Sequence, residues 1–171
     1  EACTEARLLA EPRGIWQMYD YEAATQTVLA DPPFPIQGKV IGKHLAQAKK
    51  VIILSASVGD AIEEHVTRYF SDGRYAYSVL LDAAATAAVE QVADAMEKAI
   101  EPKVAKEGYT MRWRFSPGYG DWPLDQQPEM VRLAQSEKIG VHLSDASMLV
   151  PRKSITAIIG LVPQQEKKEV H

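Results

Sequence analysis

The chain has 171 residues, 46% of them hydrophobic and 25% charged, with a formal net charge of −4. That balance suits one globular domain with a core of its own, and it lacks the basic excess that a grip on nucleic acid requires. The only cysteine is Cys3 and the histidines (His44, His65, His142, His171) are scattered, so no disulfide framework and no zinc or iron–sulfur spacing can be read. No apolar run approaches the ~20 residues of a membrane span, and with no secretory signal visible the expectation is a cytoplasmic protein.

In chain order, residues 1–35 read as a helical extension interrupted by prolines. Tyr21 to Leu29 is its last short helix, and Asp31-Pro32-Pro33-Phe34-Pro35 ends it. The domain proper then spans residues 36–163. Gly38 to Ala48 reads as an amphipathic helix with Val40, Ile41 and Leu45 on one side. Val51 to Leu54 is a buried strand, and Ser55 to Asp60 a loop. Asp60 to Phe70 is the next helix, with Ser57 placed as in a capping box and Ser71-Asp72-Gly73 closing it.

The clearest helix covers Ala83 to Ile100. Ala85, Ala88, Val89, Val92, Met96 and Ala99 recur at three- and four-residue steps. Its other side carries Glu90, Asp94, Glu97 and Glu101, and Pro102 interrupts or ends it. Tyr109 to Phe115 alternates as a strand, placing Tyr109, Met111, Trp113 and Phe115 on one face and Thr110, Arg112 and Arg114 on the other. Pro128 to Lys138 is a helix with proline in its first turn, closed by Gly140. Val141 to Val150 and Ser154 to Val162 are strands joined at Pro151-Arg152-Lys153, and residues 164–171 form a disordered polar tail. The expected fold is α+β, with helices packed on a twisted, mainly antiparallel sheet.

One short run carries most of the chemistry: Arg114-Phe115-Ser116-Pro117-Gly118-Tyr119-Gly120-Asp121-Trp122-Pro123. A guanidinium offers a rigid fork suited to a carboxylate. Pro117-Gly118 sets a turn that lets a ligand approach the main chain. Tyr119 adds an aromatic face for a cation and a hydroxyl. Together these suit a zwitterionic ligand with a cationic part. A surface arginine before a hairpin turn would leave the same letters. Likewise, the acidic helix face is either solvated or turns one carboxylate toward a ligand. The strand–loop–helix from Val51 to Phe70 lacks the glycine spacing of a nucleotide loop, and Ser55 and Ser57 lack a nucleophile-elbow context.

Arg114 to Tyr119 resembles the Arg-x-x-x-Gly-Tyr signature of the reactivation domain of cobalamin-dependent methionine synthase. Gly38 to Leu54, Leu80 to Glu90, Pro123 to Leu133, Ile139-Gly140-Val141 and Met148 to Ser154 are also similar to the short, stand-alone members, so the resemblance covers about residues 36–162. It implies binding of S-adenosylmethionine, with Arg114 on the methionyl carboxylate and Ser116, Pro117, Gly118 and Tyr119 along the adenosine and sulfonium. It also implies a carboxylate from the central helix, Asp94 in preference to Glu90. No tyrosine follows Tyr119, where the large synthases use a late pair, and no early aspartate of residues 1–35 matches theirs. The site is therefore expected to be open, or completed by a partner.

The same resemblance implies an accessory role. Such a domain supplies S-adenosylmethionine for the reductive methylation of cob(II)alamin in a methionine synthase or other corrinoid methyltransferase, with a flavodoxin-type reductant giving the electron. Cobalamin would be met only through that partner, and the chain would be no stand-alone catalyst. The alternative is an interaction module of the same fold that has lost methyl delivery. An ordinary methyltransferase is disfavoured by the missing glycine-rich loop, and a radical S-adenosylmethionine enzyme by the lone cysteine.

Overall fold

A computed structural model of the chain describes residues 1–165; from residue 166 on, the expected tail, His171 included, lies outside the described residues. The elements are α1 (Ala2–Leu9), β1 (Arg13–Glu22), β2 (Thr27–Leu29), β3 (Phe34–Pro35), α2 (Lys39–His44), β4 (Lys50–Ser57), α3 (Ala61–Ser71), α4 (Tyr75–Lys106), β5 (Tyr109–Phe115), α5 (Gln127–Ala134), β6 (His142–Leu143), β7 (Leu149–Val150) and β8 (Ser154–Pro163). Six strands form one sheet in the order β3-β2-β1-β4-β8-β5, and every neighbouring pair is antiparallel. The α+β expectation holds.

The continuous apolar run of β4 follows from its place in the middle. Val51 and Ile53 pack under α2 and α5 with Ile41, Leu45, Trp122 and Met130. Ile52 and Leu54 point the other way, against Ile100 and Val104 of α4. All four side chains of Val51 to Leu54 are fully buried, which stabilises the fold by about 1.5–3 kcal/mol each. Helices α1 and α3 complete the α4 layer through Ala6, Ile62, Leu81 and Ala85. Among the described residues no helix is long and apolar enough to cross a membrane.

Several sequence expectations need correction. Residues 1–35 are not a helical extension: only α1 is helical, and the rest supplies three strands to the main sheet. Tyr21 to Leu29, read as a helix, is the end of β1, a turn and β2, with Tyr21 opposite Val28 and both buried. The turn is held by Gln26, at φ 51, whose Nε2 donates to the carbonyls of Ile36 and Gly38 at 3.1 Å. β4 continues through Ser57, and Ser57 forms no capping box: its Oγ accepts from the Gly59 amide (3.1 Å) and from Ser154 Oγ (2.8 Å). Val141 to Val150 is not one strand but the small β6–β7 hairpin, because Ser144 and Ser147 close a turn within it. Helix α4 runs 32 residues, straight through Pro102. Pro102 stands on the exposed side, away from the packing face of the helix.

Candidate functional site

The site is built where β5, an edge strand, meets the middle of α4. β5 pairs with β8, Met111 opposite Leu161 and Arg114 opposite Ile159. The partner strand advances by two residues where β5 advances by three, so β5 carries a β-bulge at Arg112-Trp113. A bulge adds one residue to one strand and re-aims the side chains after it. The strict alternation expected from the sequence therefore fails. Met111 and Arg114 share the α4 face, Phe115 packs toward the opposite core, and Trp113 is thrown out to 81% exposure.

Because of that flip, Arg114 meets the acidic face of α4. Its Nη1 donates to Asp94 Oδ1 (2.8 Å) and Glu97 Oε2 (3.0 Å), and its Nη2 to Glu90 Oε2 (2.6 Å). The three acids sit at steps of four and three residues, one stripe of the helix. The stripe is thus neither plainly solvated nor plainly free for a ligand; it neutralises one half-buried guanidinium. Glu101, one turn further on, makes no ion pair with Arg114 and lines the groove beyond it.

The electrostatics follow from burial. Desolvation alone would lower the Arg114 pKa, but hydrogen bonds to Glu90 and Asp94 and the nearby charges hold it above its ordinary value. Glu97 is the least exposed of the acids, at 25% against 49% for Glu90 and 57% for Asp94. Desolvation pushes its pKa up, Arg114 pulls it down, and the like charges of Asp94 and Glu90 help the rise prevail.

The turn after β5 is held from several sides. Ser116 Oγ donates to the Thr156 carbonyl (2.6 Å), so this hydroxyl is spent on β8. Pro117 is buried. Gly118, at φ 92, donates its amide to Trp122 O at 2.8 Å. Tyr119 is 65% exposed, its ring edge-on to Phe115 with centroids 5.1 Å apart. Two residues that the sequence reading gave no role fix this turn. Trp122 is buried in the core and donates its indole N–H to Gln126 Oε1 at 2.8 Å. Asp121 accepts the amides of Lys39 (2.7 Å) and Val40 (3.0 Å) at the start of α2, which holds its carboxyl below the usual range. His44 adds a third tie, its Nε2 lying 2.7 Å from the Trp113 carbonyl. Only the stepwise spacing of Glu97 could have drawn attention to that residue; the bulge and these ties leave no sequence signal.

Two cavities adjoin the ion-pair cluster. A groove of about 770 Å3 runs between α4 and β5, past Lys98, Glu101 and Arg112. A smaller cavity of about 260 Å3 lies over the turn, lined by Glu90, Trp113, Arg114, Phe115, Ser116 and Tyr119. The structure thus brings Arg114, Ser116, Tyr119 and Glu90 to one cavity, while Asp94 lines only the groove.

No protein-family model matches the chain, and neither does any curated protein. A solved structure does match: the crystal structure of the MetH reactivation domain bound to AdoHcy superposes with a TM-score of 0.60 over 95% of this chain. The chain has the reactivation-domain fold. Identity to that structure is 13%, and the chain spans 62% of its length. At that identity the likeness shows the fold alone.

Proposed function

We propose that this chain binds S-adenosylmethionine at the Arg114–Tyr119 turn and serves as an accessory protein in the reductive reactivation of a corrinoid methyltransferase. The observation that carries the reading is the turn cavity, where a guanidinium and a carboxylate stand side by side, 2.6 Å apart, in a lining that also holds Trp113, Phe115 and Tyr119. That pair is complementary to the ammonium and carboxylate of an amino-acid ligand. The crystal structure with the same fold holds AdoHcy, the demethylated form of such a ligand.

In this reading Arg114 orients the ligand by its carboxylate, Glu90 receives the ammonium, and Tyr119 and Phe115 cover the sulfonium and adenosine. S-adenosylmethionine, when bound, supplies the methyl group. The chain's own share is positioning, and none of these side chains has to move a proton. Cobalamin is met through a partner protein, with a reductant of the flavodoxin type, in the cytoplasm.

Calorimetry with S-adenosylmethionine tests the binding step. Arg114→Ala should weaken it by about 1.5–3 kcal/mol, the worth of hydrogen bonds to a charged group, and equal affinity in both proteins refutes the assignment. The accessory role is tested by mixing the chain with methyl-labelled S-adenosylmethionine, reductant and a cobalamin-bound synthase. Label should reach cobalamin only when the chain is present. The occupied fork of Arg114 favours one alternative, an interaction module of the same fold that no longer delivers methyl groups. Ligand-independent association with the synthase, with no methyl transfer, would select it.

A further inference from the structure

Glu90, Trp113 and Arg114 line both the turn cavity and the groove, so the Glu90–Arg114 ion pair stands in the wall between them. The two ends of that guanidinium differ. Nη1 is pinned by Asp94 and by Glu97, the least exposed acid of the cluster. Among the side-chain carboxylates of the described residues, Nη2 holds Glu90 alone, and Glu90 is 49% exposed. Breaking this pair costs less, because water takes up the Glu90 charge while Asp94 and Glu97 keep the guanidinium compensated through Nη1. Separating Glu97 from Arg114 would instead leave a charge in a half-buried place.

We infer that Glu90 is the specificity-determining residue of the site and acts by exchange: it yields Arg114 Nη2 to the ligand carboxylate and takes the ligand ammonium in return. The exchange joins the turn cavity to the groove and leaves every charge paired. It selects zwitterions, because a ligand with a carboxylate and no ammonium would evict Glu90 without replacing its partner. Asp94, which does not line the turn cavity, stays on Nη1 throughout. This inference rests on the reading that an adenosyl amino acid binds at the turn.

The test is calorimetry on the whole chain with two probes: S-adenosylhomocysteine, a stable zwitterion, and its deaminated analogue, which keeps the carboxylate. Glu90→Gln should bind S-adenosylhomocysteine about tenfold more weakly, the loss of one charge-assisted hydrogen bond. The same variant should bind the deaminated analogue about threefold more tightly, because a competing carboxylate is gone. Opposite signs support exchange. Shifts of the same sign, or no shift, overturn it even where the wild type binds both probes. Asp94→Asn should shift the two probes in the same direction, because Asp94 stays on Nη1 and takes no part in the exchange; shifts of opposite sign in that variant overturn the choice of Glu90. A wild type that binds neither probe overturns the binding reading and the exchange together. Melting curves of each variant establish that the fold is intact.

Discussion

Removing Arg114 should cost more than removing the acid buried beside it. Arg114→Ala strands three carboxylates on one stripe of α4. Glu90 and Asp94 are half exposed, and each pair of that kind contributes about 0–1 kcal/mol. Glu97 is shielded, and its hydrogen bond to a charged partner contributes about 1.5–3 kcal/mol. The sum is a loss of about 1.5–5 kcal/mol, or ~3–20 °C of Tm for a chain of this size. Glu97→Gln behaves differently. The amide can still accept from Nη1, while Glu90 and Asp94 keep the guanidinium compensated, so the change should stay within about 1 kcal/mol at neutral pH. The sign of the pH effect follows from the raised Glu97 pKa. The native state holds this proton more tightly than the unfolded chain, so Glu97's contribution is full below the ordinary carboxylate value and is lost as pH rises through the raised one. Urea unfolding followed by circular dichroism, at pH 4 and pH 7, measures all of this. Equal losses for the two variants, or no loss for Arg114→Ala, would refute the account of a half-buried cation held by a mostly exposed acid stripe.

Glu5 ties α1 to α3 and α4 by accepting from Tyr77 Oη (2.5 Å) and Tyr69 Oη (2.7 Å), with His65 Nδ1 at 3.3 Å. These hydrogen bonds hold its pKa below the usual carboxylate value. Its contribution is therefore present above that value and lost as pH falls through the lowered one. Protection of the Ala2–Leu9 amides, taken relative to the intrinsic exchange rate at each pH, should fall in acid and in Glu5→Gln at neutral pH; unchanged protection in the variant would remove Glu5 as the tie. Gly118→Ala should destabilise the chain by about 1–2 kcal/mol through its left-handed backbone alone, since the added Cβ would meet only Leu124, at an ordinary 3.5 Å. Chemical denaturation reads that difference, and a neutral result would mean the turn relaxes out of its positive φ.

Local chemistry made much of this protein legible from sequence. The apolar run Val51 to Leu54 could only be a strand or a short buried helix segment, and its β-branched content and bounding turn residues favour the strand. The stripe of α4 and the proline–glycine turn after Phe115 likewise depend on neighbours a few residues away. The resemblance to the reactivation domain pointed to the fold that the structural comparison shows. Other features were decided at longer range. Residues 13–35 became strands because β1 could pair with β4 along its length, from Arg13 opposite Ser57 to Asp20 opposite Lys50. The bulge at Arg112-Trp113 exists only relative to β8; with it absent, Arg114 would face the opposite core and the acids of α4 would be unpartnered by it. A period-2 pattern records which residues alternate, but not where the partner strand skips one. The position of the site's one central cation was therefore fixed by strand pairing, a contact 45 residues away in the chain between Arg114 and Ile159.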